Sequence, residues 1–134
     1  MIKVEIVKIQ QELDIVMARQ KGREMSKLIG FGAVDQARIT TAVSELARNI
    51  YLYAGTGEIT FEPIEENNKI GVKISAIDKG PGIEDIKKAL EDGYTTSGGL
   101  GAGVPGVKRL MDEFFIDSTV GVGTTVIVKK WHKK

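Results

Sequence analysis

The chain has no cysteine among its 134 residues, and only three prolines, one tryptophan and one histidine. Without thiols there is no disulfide framework, no cysteine nucleophile and no thiolate zinc site. Charge of one sign is also missing. Nineteen basic residues against 18 acidic ones leave a net charge of +1, so no sequence-wide field favours nucleic acid and no like-charge run forms an interaction tail. The terminal Lys129, Lys130, His132, Lys133 and Lys134 are expected to be a solvated strand end. No apolar run approaches the ~20 residues of a membrane span, and nothing resembles a signal peptide. No Gly-x-x-x-x-Gly-Lys-Ser/Thr motif is present, so a Walker-type NTPase lacks its lysine. These absences predict one cytoplasmic domain over residues 1–134 with a single core, no second domain, and neither nucleic acid nor membrane as partner.

Glycine is what the chain has in excess: 16 residues, ten of them between Gly80 and Gly123. Five crowd into Gly98-Gly99-Leu100-Gly101-Ala102-Gly103-Val104-Pro105-Gly106. Such a stretch exposes bare backbone N–H groups and can close around phosphate. Pro105 suits a first helical turn, with Val107, Leu110 and Met111 as an apolar stripe behind it. The loop therefore runs into a helix N-terminus, where the dipole favours anions.

Short elements alternate along the rest. Ile2, Val4 and Ile6 against Lys3 and Glu5 have the period of a half-buried strand. From Glu12 to about Ile29, Leu13, Val16, Met17, Met25, Leu28 and Ile29 recur near helical spacing, with Asp14 and Ser26 read as solvated and Gly30 and Gly32 as the stop. A stronger helix starts near Asp35 as N-cap and carries Ile39, Val43, Leu46, Ala47 and Ile50 on one face until Ala54-Gly55. Ile59 and Phe61, the polar turn Glu65-Glu66-Asn67-Asn68, and Ile70, Val72, Ile74 and Ala76 predict a hairpin, with Pro63 marking its first strand as an edge. Phe114–Ser118 and Thr124–Trp131 predict two last strands around a Gly121-Val122-Gly123 turn. Hairpins imply antiparallel pairing, so the predicted fold class is an α/β two-layer sandwich: one mixed, mostly antiparallel sheet with helices on one face and the other face partly wet.

Three further patterns bear on chemistry, each with an ordinary structural reading when taken alone. Glu45 and Asn49 lie four apart and stack beside the apolar stripe of the second helix; Arg48 is placed to pair with Glu45. Asp78-Lys79-Gly80-Pro81-Gly82 sits where a strand ends. An acid there can accept from an exocyclic amine, and the glycines let a base approach the backbone. Gly121-Val122-Gly123-Thr124-Thr125 alone is a hairpin turn.

In this order, a Glu-x-x-x-Asn helix, an Asp-x-Gly-x-Gly strand end, a glycine loop and a Gly-x-Gly-Thr turn, the chain resembles the GHKL-type ATP-binding family of DNA gyrase, the Hsp90 chaperone, histidine kinases and the mismatch-repair ATPase. Within it, Val34–Ala42, Glu45–Gly55, Thr96–Gly103 and Pro105–Phe114 resemble the small serine/threonine kinases of bacterial stressosome and partner-switching pathways. The resemblance implies ATP and Mg²⁺ as cofactors. It implies Glu45 as the catalytic residue that orients or deprotonates the acceptor hydroxyl, and Asn49 as nucleotide and Mg²⁺ ligand. Asp78 would hold the adenine amino group, supported by Thr124 and Thr125, with Gly80 and Gly82 letting the purine pack closely. It implies an ATP lid at about 83–103, closing over the phosphates through Thr96, Ser97, Gly98, Gly99, Leu100, Gly101, Ala102 and Gly103. Many relatives carry a basic or histidine residue about a turn after the asparagine, where this chain has Leu52 and Tyr53. Lys108 and Arg109 follow the loop and are read as solvated at least as readily as phosphate-binding.

The resemblance further implies STAS-domain proteins as substrates and a PP2C-type phosphatase that the released kinase binds and activates. A histidine-kinase role lacks its phosphoacceptor, the one histidine being His132. The alternative is a non-catalytic, nucleotide-gated binding module or anti-sigma factor; the presence of Glu45 together with Asn49 favours chemistry. Gly101-Ala102-Gly103-Val104-Pro105-Gly106 also satisfies Gly-x-Gly-x-x-Gly with Asp117 downstream, but the sequence Asp92-Gly93-Tyr94-Thr95-Thr96-Ser97 before it does not read as the strand that a dinucleotide fold would require.

Overall fold

Helices and hairpins sort into two layers in the computed structural model, which describes residues 2–82 and 103–133. In chain order they are β1 (Glu5–Ile9), α1 (Leu13–Ile29), α2 (Ala33–Asn49) continued by a π-helical turn (Ile50–Ala54), β2 (Gly57–Glu66), β3 (Lys69–Asp78), α3 (Gly103–Leu110), β4 (Glu113–Thr119) and β5 (Gly123–Lys133). The strands lie in the order β1-β2-β3-β5-β4, and every pairing is antiparallel. The sheet is thus the fully antiparallel limit of the one expected. Ile59, Phe61, Val72, Ile74, Ala76, Val126 and Val128 are buried, while the alternating Thr60, Lys73, Ser75 and Ile127 are only partly covered on the opposite face.

The predicted face of α2 is realised completely: Ile39, Val43, Leu46, Ala47 and Ile50 are each at most 2% exposed. Its start differs. Gly32 is the N-cap, without a side-chain cap bond, and Asp35 lies inside the first turn, paired with Arg38 at 2.9 Å. A carboxylate there complements the helix dipole as well as a cap would.

α1 buries Met25 and Ile29 as expected, but the rest of its inward face differs. Leu13, Met17 and Leu28 are exposed, and the buried stripe is Ile15, Ala18, Gly22, Met25, Ser26 and Ile29. Small residues let the two helices approach closely: a Cβ on Gly22 would lie 3.1 Å from Val43 Cγ2. Ser26 is therefore buried rather than solvated, its Oγ donating to the Arg23 carbonyl at 2.8 Å. Asp14 is likewise engaged, accepting from the backbone N–H groups of Gln10 and Gln11 at 2.9 and 3.1 Å. Gly30 ends the helix as predicted, with φ 107°, and Phe31 N–H reaches back to the Ser26 carbonyl at 3.0 Å.

β1 is also shifted by one position. Its register pairs Val7 with Ile59 and Ile9 with Gly57, so Val7 and Ile9 face the core while Val4 and Ile6 face outward at 53% and 57% exposure. A one-residue shift exchanges the two faces of a strand. Pro63 lies on β2, which is an inner strand; the pairing with β1 reaches only Phe61, so the missing N–H falls where the neighbour has already ended.

Lys130 departs from the expected solvated strand end. It is 7% exposed, and its ammonium donates to the Leu110 carbonyl at 3.1 Å and to Asp112 Oδ1 at 3.3 Å, with Asp35 at 3.8 Å. It satisfies the end of α3, where a cation is favoured.

Candidate nucleotide-binding site

The candidate residues come from three elements that meet at one end of the sheet. α2 carries Glu45 and Asn49 one turn apart. Glu45 is 1% exposed, and Arg48 Nη1 donates to its Oε1 at 2.8 Å. A buried carboxylate requires such a partner, and the pairing fixes its orientation. Asn49 is half-buried.

The π-turn that ends the helix leads into β2 and packs beside the end of β3 and its following loop. Gly57, opposite Asp78 in the β2–β3 register, is so close to the π-turn that a Cβ there would sit 2.7 Å from Ile50 Cγ2. Asp78 ends β3 between Gly57 and Thr124, half-buried, and its Oδ1 accepts the Gly80 N–H at 2.8 Å. This side-chain turn holds the carboxylate upright at the strand end.

The β4–β5 turn clamps the loop from the other side. Gly121 N–H donates to the Pro81 carbonyl at 2.9 Å. Gly82 has φ 80°, and a Cβ on it would lie 2.5 Å from the Thr119 carbonyl oxygen. Gly123 has φ 147°, and a Cβ there would collide with the Asp78 carbonyl. Both positions demand glycine twice over, for their backbone angle and for the close approach.

Thr124 faces the same side as Asp78, which it opposes in register. Its Oγ1 lies 2.7 Å from Ser118 Oγ, and Ser118 Oγ also donates to the Gly123 carbonyl at 3.2 Å. Thr125 opposes Ile77, so by strand alternation its side chain lies on the outer face, away from Asp78. Ser118, Thr119 and Ala54 were not singled out from the sequence. They acquire a place at the site only through β4–β5 register and the packing of the π-turn, which no local pattern encodes.

Thr96, Ser97, Gly98, Gly99, Leu100, Gly101 and Ala102, with most of the expected lid, lie outside the described residues. Gly103 is the first residue of α3. Behind it Pro105, Gly106, Val107 and Met111 are buried and Leu110 is partly so, while Lys108 and Arg109 are on the exposed side. Among the described residues there is no group of three or more histidines or carboxylates arranged to hold a metal ion.

The chain has clear relatives among known proteins. Residues 34–134 match the family described as histidine kinase-, DNA gyrase B-, and HSP90-like ATPase. The chain is 63% identical to the serine/threonine-protein kinase RsbT of Bacillus subtilis, covering 93% of this chain and 94% of that one. It is 38% identical to an anti-sigma F factor of Thermoanaerobacter sp. over 71% of this chain and 69% of the relative. Among solved structures, a mycobacterial sensor histidine kinase, MprB, shares the fold with a TM-score of 0.58 at 15% identity, over 98% of this chain and 99% of that one. The family model spans most of the chain, residues 34–134, and takes in Glu45, Asn49, the Asp78 loop and the Gly123-Thr124 turn; the chain belongs to the histidine kinase-, DNA gyrase B- and HSP90-like ATPase family.

Proposed function

We propose that the chain is an ATP-dependent serine/threonine protein kinase that phosphorylates STAS-domain antagonist proteins in a partner switch and, once released, binds and activates a PP2C-type phosphatase in the cytoplasm. The name of its 63% identical relative supports the kinase activity. The observation that carries the chemistry is the buried, Arg48-oriented Glu45 one turn before Asn49, on a helix whose end packs against the Asp78 loop.

In this reading Gly80 N–H holds Asp78 Oδ1, leaving Oδ2 to accept from the adenine amino group. Thr124 supports that contact, steadied by Ser118. Thr125 takes no direct part, its side chain lying on the other face. Asn49 would supply one neutral oxygen to Mg²⁺, with phosphates and water as the other ligands, which fits the lack of an acidic cluster among the described residues. Bound Mg²⁺ would neutralise phosphate charge. The phosphate cover in this proposal is the lid expected at about 83–103, most of which lies outside the described residues.

Glu45 orients the acceptor hydroxyl toward the γ-phosphorus. As the new O–P bond forms, the bond from the γ-phosphorus to the bridging oxygen of ADP breaks and the hydroxyl proton passes to the Glu45 carboxylate. Little basicity is needed, since such transition states are loose and governed by positioning. Among the described residues no helix is long and apolar enough to cross a membrane, and the proposed partners are proteins.

Incubating the protein with Mg²⁺, γ-labelled ATP and a purified STAS-domain protein tests the proposal. Label is expected on a serine or threonine of the partner. Glu45→Ala should bind ATP but transfer little, and Asp78→Asn should fail to bind. Undiminished transfer by Glu45→Ala removes it from catalysis; unchanged affinity in Asp78→Asn removes the adenine assignment. The anti-sigma relatives favour a second reading, a nucleotide-gated binder, for which ATP would alter partner capture with no label transferred.

A further inference from the structure

The α-helical hydrogen-bonding pattern of α2 stops at Asn49, and the next turn is π-helical, closed by Gly55 N–H donating to the Ile50 carbonyl at 2.9 Å. A π-turn holds one residue more than an α-turn and is confined to short insertions, often at functional sites. Its effect here is one of phase. In a continued α-helix Tyr53 would follow Asn49 on the same face. The widened turn gives that place to Ala54, while Leu52 and Tyr53 stand outward at 49% and 47% exposure.

Ala54 then meets the Asp78 loop. A Cβ on Gly80 would lie 2.6 Å from Ala54 Cβ and 2.8 Å from its Cα, so the two residues are in contact with no room for a Cβ on Gly80. Gly80 is also the residue whose N–H holds Asp78 Oδ1. A displacement at Ala54 therefore passes through one residue to the carboxylate. Nothing comparable constrains the loop by backbone conformation at this point, since Gly80 is not among the positive-φ glycines.

We propose that Ala54, presented by the π-turn, is a positioning residue for base recognition: it seats Gly80 so that Asp78 stands at a set distance from the Asn49 end of α2. This rests on the reading of Asp78 as the adenine acceptor. The turn acts as a spacer between the phosphate end and the base end of the nucleotide, and its occupant must be no larger than alanine or serine.

The test is equilibrium titration of the whole chain with a fluorescent ADP analogue, which needs no acceptor protein, fitted for both Kd and stoichiometry. Ala54→Val and Gly80→Ala should each raise Kd about tenfold at a stoichiometry near one, because the folded protein binds less well. A purely structural lesion would lower stoichiometry and leave Kd in place. Ala54→Ser should stay within about twofold, and Ala54→Gly should recover part of the Gly80→Ala loss. Unchanged Kd in Ala54→Val beside lost binding in Asp78→Asn overturns the positioning role and leaves the adenine site standing. Wild-type affinity in Asp78→Asn overturns both. Should Ala54→Val not fold, the double variant decides: a Gly80→Ala penalty of equal size in the wild-type and Ala54→Gly backgrounds refutes contact between the two residues.

Discussion

Two glycines with the same backbone angle separate conformational strain from steric clamping in the Asp78 loop. Gly82 and Gly121 both have φ 80°, but a Cβ on Gly82 would lie 2.5 Å from Thr119 O and 2.8 Å from Thr119 C, whereas nothing lies within 4 Å of one on Gly121. Alanine at either site incurs the left-handed penalty of about 1–2 kcal/mol. At Gly82 the obstructing atoms are backbone, so no rotamer change relieves them, and overpacking adds about 1–3 kcal/mol. Thermal unfolding should therefore show Gly121→Ala losing roughly 3–8 °C and Gly82→Ala roughly 6–20 °C. Where the loop yields instead of the fold, part of the Gly82→Ala penalty moves from Tm into weaker ADP binding, so both are measured. Equal losses in Tm with equal ADP affinity would refute the clamp, since strain alone would then explain both sites.

Removing a methyl-sized hydroxyl distinguishes the two neighbouring threonines: Thr124→Val should weaken ADP binding and cost about 1 kcal/mol in urea denaturation, whereas Thr125→Val, on the outer face, should leave ADP affinity unchanged. Lys130→Met removes the donor to the Leu110 carbonyl and the partner of Asp112. A loss of about 1–3 kcal/mol is expected, read as a lower urea midpoint at an unchanged slope.

Legibility in the sequence followed the size and periodicity of the side chains. α2 could be read residue by residue because Ile39, Val43, Leu46 and Ile50 are large, apolar and regularly spaced. α1 could be placed but not rotated correctly. Its contact face is built on Ala18, Gly22 and Ser26, residues that score weakly as hydrophobic but allow close helix approach, while its larger Leu13 and Leu28 remain exposed. β1 was misphased because Ile2, Val4 and Ile6 alternate as well as Val7 and Ile9 do, and only pairing with β2 selects between the two faces. Lys130 looked like the rest of a basic tail until α3 and Asp35 were brought over it.

Elements, fold class and the glycine-rich motifs were thus present in the order of residues, since periodicity and turn chemistry are local properties of the chain. The Arg48 partner of Glu45 is local and legible, but which threonine shares a face with Asp78 and how the π-turn meets Gly80 depend on strand register and interlayer packing. Those contacts join residues far apart in sequence, such as Gly82 with Thr119 and Gly123 with Asp78. Their free energy exists only once both partners are in place, so no local pattern records it.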